Sequence, residues 1–200
     1  MVTYLQECFY INLDRRLDRR AEIEAEFEKI GLSVERFPAI DKNPGIVGCG
    51  LSHLAVLKMA KERGLKNVLI FEDDFQFLVS KEEFWTQMEQ LFMSGVQYDV
   101  VMLGYSLEKK TEFNDLLYKV VEASTASAYL VNERFYDKLI ELYENAIPLL
   151  IETGKHWVYA NDQIWKSLQE KSNWFAFCTR IGKQRRSYSD LSLMVKEADH

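Results

Sequence analysis

The run VLIFEDDF, Val68 to Phe75, constrains this chain most, because four apolar residues end abruptly in Glu72, Asp73 and Asp74. Val68, Leu69, Ile70 and Phe71 read as a strand buried on both faces, which places it inside a parallel sheet covered by helices. In open α/β sheets, ligands bind in the crevice beyond the carboxyl ends of the strands. The three carboxylates therefore mark the expected site. Crowded carboxylates resist joint ionisation, and burying an unpaired charge is costly. A divalent cation with hard oxygen ligands removes that conflict. The competing reading is a solvated acidic turn.

The rest of the chain alternates strand and helix patterns with short connections. Glu7–Asn12 reads as the first strand, followed by a helix over Arg16–Ile30 that stops at Gly31. Val34–Phe37 is a short second strand closed by Pro38, and a loop over 39–47 leads to a helix from Leu51 to Arg63 with a stop at Gly64. After the acidic strand come a helix over Lys81–Met93 and a strand over Asp99–Leu103. Gly104–Leu117 is polar and reads as a long loop. Ser127–Val131 reads as a strand, Asn132 as the cap of a helix to Asn145, Asn161–Glu170 as a helix and Trp174–Cys178 as a strand. The last 20 residues show no clear period. This order predicts an α/β fold with a mainly parallel sheet flanked by helices.

Two hundred residues with 48% apolar content suffice for one domain spanning 1–200, which a longer protein could also contain. A net charge of −6 argues against a general nucleic-acid binder. Cys8, Cys49 and Cys178 are odd in number and lack a CxxC spacing, so they read as reduced thiols, two of them in strands. The N-terminus shows no apolar signal region, and no apolar run approaches the ~18 residues of a membrane span. A cytoplasmic protein without a transmembrane segment is expected.

Five further constellations carry chemistry. INLDRRLDRR puts Asn12 and Asp14 at a strand end, suited to a base and ribose, and Arg15, Arg16 and Arg19 where forked donors can meet a diphosphate. A solvated helix start with Arg–Glu pairs is the alternative. GCGLSH places Ser52 and His53 in the first turn of a helix, where His53 can bond a sugar hydroxyl or a carboxylate, or be structural. Asp41, in FPAID, is a natural acceptor for an N3–H of uracil, or else a turn residue. Asn161-Asp162-Gln163 is either an ordinary helix cap or carries a general base, with Lys155 and His156 nearby to complement substrate charge. GKQRRSYSDLS, with Gln184, Ser189 and Asp190, reads alone as a solvated tail.

Together, YINLDRRLDRR, FPAID, GCGLSHLAVLKMA, VLIFEDDF, STASAYLVN, Asn161-Asp162 and QRRSYSDLS resemble glycosyltransferase family 25 in the family's own order and over nearly the whole chain. The resemblance implies a GT-A fold (Rossmann-like), a nucleotide-diphosphate-sugar donor and a divalent metal, Mn²⁺ or Mg²⁺. It puts Glu72 and Asp74 at the metal, Asp73 on the ribose or a sugar hydroxyl, and INLDRR on the nucleotide. It makes Asp162 the acidic residue near the acceptor. The short loop between Asp41 and Gly48 departs from the family and leaves the acceptor open.

The expected activity is metal-dependent transfer of a hexose from a UDP-sugar to a glycan hydroxyl, with Asp162 as base if the anomeric centre inverts. A phosphatase reading of INLD fits poorly, because Arg16 stands where a second Asp is needed. A nucleotidyltransferase would share the acidic site but release pyrophosphate. A nucleotide- or carbohydrate-binding module without turnover is the non-enzymatic rival.

Overall fold

The computed structural model describes residues 4–185 together with two short paired strands at 188–189 and 194–195. An eight-stranded sheet runs through the molecule in the order β2-β1-β3-β6-β7-β5-β8-β4. Its strands are β1 (Glu7–Asn12), β2 (Glu35–Pro38), β3 (Asn67–Glu72), β4 (Phe75–Phe77), β5 (Val100–Glu112), β6 (Leu117–Asn132), β7 (Trp174–Phe177) and β8 (Gly182–Gln184). β1, β2, β3, β5, β7 and β8 share one direction, and β4 and β6 oppose them. The α/β expectation of a mostly parallel sheet between helices is met.

Helices cover both faces. α2 (Gly45–Glu62), α4 (Tyr136–Thr153) and α6 (Asn161–Gln169) pack on one face, where Val56, Leu57, Tyr143, Trp165 and Trp174 are buried with Val68 and Ile70 of β3. α1 (Leu17–Ile30) and α3 (Lys81–Met93) cover the other, with Ile23, Phe27, Phe84 and Leu91 against Leu69 and Phe71. Alternate residues of β3 thus enter opposite cores, which is why its sequence is apolar throughout. α5 (His156–Tyr159) is a single exposed turn. No helix among the described residues is long and apolar enough to cross a membrane.

Three sequence expectations are corrected. Gly104–Leu117 is largely not a loop: β5 continues to Glu112 and turns into β6, whose antiparallel register carries several shifts. The outer part of this hairpin is exposed, so no apolar pattern announces it. α2 starts at Gly45, six residues before Leu51, because its glycines serve close packing: a Cβ on Gly48 would lie 2.2 Å from the Ile40 carbonyl oxygen. Of the three free cysteines only Cys8 sits in a strand; Cys49 is on α2 and Cys178 lies one residue past β7.

Candidate functional site

β1 and β3 are parallel neighbours with Ile11 opposite Glu72, so both strand ends deliver their polar residues to one place. Asn12 is 1% exposed. Its Nδ2 donates to Asp73 Oδ2 at 2.7 Å and to the Arg16 carbonyl at 3.1 Å. Arg19, from the first turn of α1, donates to Asp73 Oδ1 at 2.8 Å and stands 3.6 Å from Asp74 Oδ2. From the far edge, Gln184 Nε2 donates to Asp74 Oδ2 at 2.8 Å, and the Arg185 amide donates to the Asp74 carbonyl at 2.6 Å.

Asp74 Oδ1 is buried and accepts no hydrogen bond among the described residues. Burial, reinforced by the neighbouring Glu72 charge, pushes the Asp74 carboxyl up to about 7, against the opposing pull of Arg19 and Gln184. Burial also raises the Asp73 carboxyl, while Arg19 and Asn12 oppose it. Carboxylates raised by burial in this way, one with an oxygen that accepts no hydrogen bond among the described residues, fit a hard divalent cation.

Glu72 leans the other way. Its Oε1 lies 3.1 Å from His53 Nε2 and 3.6 Å from Cys49 Sγ. His53 is fully buried, with Nδ1 2.6 Å from the Tyr129 hydroxyl and its ring stacked on Tyr129 and Tyr143. Burial and Glu72 hold the Cys49 thiol well above its ordinary range, so it is neutral, and Asn161 Nδ2 donates to Sγ at 3.1 Å.

These groups wall a cleft of about 300 Å³. Glu72, Asp73, Asp74, Arg15, Arg19, Asp41, Ser52 and His53 all line it. Arg15 pairs with Asp41, both half-exposed, and so links the β1–α1 loop to the segment before α2. Ser52 is buried; its hydroxyl donates to the Gly48 carbonyl at 2.7 Å and accepts the Ile40 amide at 2.8 Å, fixing that segment to α2.

Four expected residues lie outside the lining. Asn12 braces the strand ends from beneath. Asp14 is exposed and paired with Arg36 at 2.5 Å, and Arg16 Nε donates to Asp18 at 3.0 Å. Asp162, in the first turn of α6, accepts the Thr125 amide at 3.2 Å; Thr125 is a bulge residue with φ 77°. Its neighbour Asn161 nevertheless touches Cys49, which brings the start of α6 against the Glu72 wall. His156 opens α5 and contacts Trp157. Arg186, Ser187 and Asp190–Ser192 of the QRRSYSDLS motif lie outside the described residues.

Sequence reasoning missed Arg36, which donates to Asn12 Oδ1 at 3.1 Å and to the Asn12 carbonyl at 3.0 Å, and it missed the roles of Tyr129 and Cys49. Tyr129 sits in an apolar strand and reads as core. Its hydroxyl becomes informative only once β6 is known to lie beside β3.

Residues 44–165 match the family described as glycosyltransferase family 25 (LPS biosynthesis protein). A glycosyltransferase 25 family member of Drosophila pseudoobscura pseudoobscura is 33% identical over 128 residues, covering 50% of this chain and 20% of that protein. The inactive glycosyltransferase 25 family member 3 of Mus musculus is 28% identical over 130 residues, covering 49% of this chain and 21% of its own length. The matched stretches thus span about a fifth of these relatives. Among solved structures, a glycosyltransferase involved in glycosylation of the major capsid of PBCV-1 aligns at 7% identity with TM-score 0.42, covering 86% of this chain and 92% of that one. With the family match extending over more than half of its residues, the chain belongs to glycosyltransferase family 25.

Proposed function

We propose that the cleft binds a UDP-sugar with Mn²⁺ or Mg²⁺ and that the protein transfers the hexose to a carbohydrate hydroxyl. The observation that carries this reading is the buried Asp74 Oδ1, without a hydrogen-bond donor among the described residues, just past the end of β3 in a cleft that also presents Glu72, Asp73, Arg15 and Arg19. Glu72 and Asp74 would hold the cation. Bound there, a divalent cation supplies positive charge against the diphosphate as UDP leaves.

The chain's own residues do the rest. Arg19, fixed by Asp73, adds a preorganised cation beside the strand end, and Arg15 adds a second at the cleft's outer edge. The Ile40–Asp41 segment, anchored by Ser52, offers acceptors to a uracil N3–H. Asp73 faces the cleft as an acceptor for a ribose or sugar hydroxyl. Asp162 is the base in this reading, with Thr125 N–H orienting its carboxylate. General-base help of this kind is worth roughly 10²–10⁴-fold. The setting we propose is cytoplasmic, in keeping with three unpaired cysteines.

Turnover decides between this and a binding module, a reading favoured by relatives named inactive and by Asp162 lying off the cleft lining. UDP release from a panel of UDP-hexoses, measured with Mn²⁺ and with EDTA, is expected to require the metal and to vanish in Asp74→Ala. Pyrophosphate release would mark a nucleotidyltransferase, and UDP binding without release in any mixture would mark a binding module.

A further inference from the structure

We infer that Cys49, His53 and Glu72 form a second cation site, one that takes a thiophilic divalent ion such as Zn²⁺. Cys49 and His53 are four residues apart on α2 and so share a helix face, and Glu72 meets them from the end of β3. The three ligand atoms lie within 4.8 Å of one another. Zn–S of about 2.3 Å and Zn–N and Zn–O of about 2.0–2.2 Å give tetrahedral edges of about 3.6 Å for S···O and about 3.4 Å for N···O. The observed Sγ···Oε1 separation is 3.6 Å and Nε2···Oε1 is 3.1 Å. The third edge, Sγ to the imidazole nitrogen, lies within the 4.8 Å spread and would have to draw in toward about 3.5 Å, a movement of up to about an ångström that side-chain rotation of Cys49 and Glu72 supplies.

The surroundings supply what such ligands need. A metal-bound imidazole is oriented through its other nitrogen, and the Tyr129 hydroxyl stands 2.6 Å from Nδ1 while two aromatic rings fix the plane. A thiolate is stabilised by N–H donors, and Asn161 Nδ2 already points at Sγ from 3.1 Å. All three ligands line the cleft, so a fourth position opens to water, the arrangement of three protein ligands plus an exchangeable one.

Protons balance simply. In the metal-free protein the Cys49 thiol donates to Glu72. Binding releases the thiol proton to solvent, and the imidazole binds through Nε2 in the tautomer whose Nδ1–H donates to the Tyr129 oxygen. The thiolate and imidazole select Zn²⁺, whereas Mn²⁺ and Mg²⁺ favour the all-oxygen end of the cleft. The two sites share Glu72. On the donor-site reading above, Zn²⁺ therefore lowers Mn²⁺-dependent UDP binding.

The test uses the metal alone, without nucleotide, so it stands whatever becomes of the donor reading. The full chain is stripped with EDTA, dialysed and titrated with Co²⁺, watching for a thiolate-to-cobalt charge-transfer band, and with Zn²⁺ by calorimetry. One equivalent with the band is expected, lost in Cys49→Ser and retained in Asp74→Ala. Tyr129→Phe should keep the band and weaken binding about 10–100-fold. No band in the native chain, or a band that survives Cys49→Ser, overturns the site. Unchanged affinity in Tyr129→Phe overturns the assignment of Tyr129 as the group that orients His53.

Discussion

At the end of β3, Asp73 and Asp74 gather around Arg19 in the interior; on the β5–β6 hairpin, Glu108 and Glu122 gather around Lys109 and Lys166 in solvent. The residue types are nearly the same and the outcomes are opposite. Lys109 and Lys166 hold the Glu122 carboxyl down at about 2. Burial and Glu72 push Asp74 up to about 7 although a guanidinium lies nearby. Water compensates whatever the lysines leave over, whereas Arg19 does not offset the cost of burying Asp73 and Asp74 beside the Glu72 charge. The hairpin cluster is complete as it stands. The buried cluster is where we propose that a cation from outside binds, and that difference separates a surface from a site.

Replacing the shared cations breaks the comparison most directly. Arg19→Ala leaves Asp73 and Asp74 buried without their counterion and should destabilise the metal-free protein by about 3–5 kcal/mol in urea unfolding. A loss under about 1 kcal/mol would show that water, not Arg19, compensates that cluster.

Asp74→Asn should act in the opposite sense. The folded carboxyl titrates above its unfolded value of 3.8, so the folded state holds a proton that the unfolded state has lost. In EDTA, native stability should therefore fall as pH rises from about 4 to about 7 and level off above that. The Asn variant should lack this fall and exceed the native chain at pH 8 by on the order of a few kcal/mol. Parallel pH profiles for the two chains would contradict the burial argument.

Ser52→Ala sharpens the picture at the cleft wall. It strips the Ile40 amide of its acceptor and should cost about 1–3 kcal/mol, with weaker nucleotide binding. Lys166→Ala should have the smallest effect, within about 1 kcal/mol by thermal unfolding and with no change in ligand binding. A larger loss would mean that the hairpin cluster matters as much as the buried one.

Much of this contrast is written locally in the chain. β1 is found as read, α3 runs over Lys81–Met93 as expected, and Gly31 ends α1 with a left-handed φ of 68°. These follow from strong periods and stop signals a few residues away. The acidic strand end was legible for the same reason: apolar strand, then three carboxylates. The hairpin was not, because its outer half satisfies its backbone by pairing rather than by burying an apolar face. The long-range partners of the site were equally silent. Arg36 reaches Asn12 from β2, Gln184 reaches Asp74 across 110 residues, and Tyr129 meets His53 across 76. Their contacts depend on the order of strands in the sheet, which no local pattern records.

Calorimetric titration of UDP into the protein, with Mn²⁺ and then with EDTA, tests the central claim most directly. Binding that needs Mn²⁺ and disappears in Asp74→Ala is the predicted result. UDP binding indifferent to metal, or no binding under either condition, would contradict a cation-dependent nucleotide site at the end of β3.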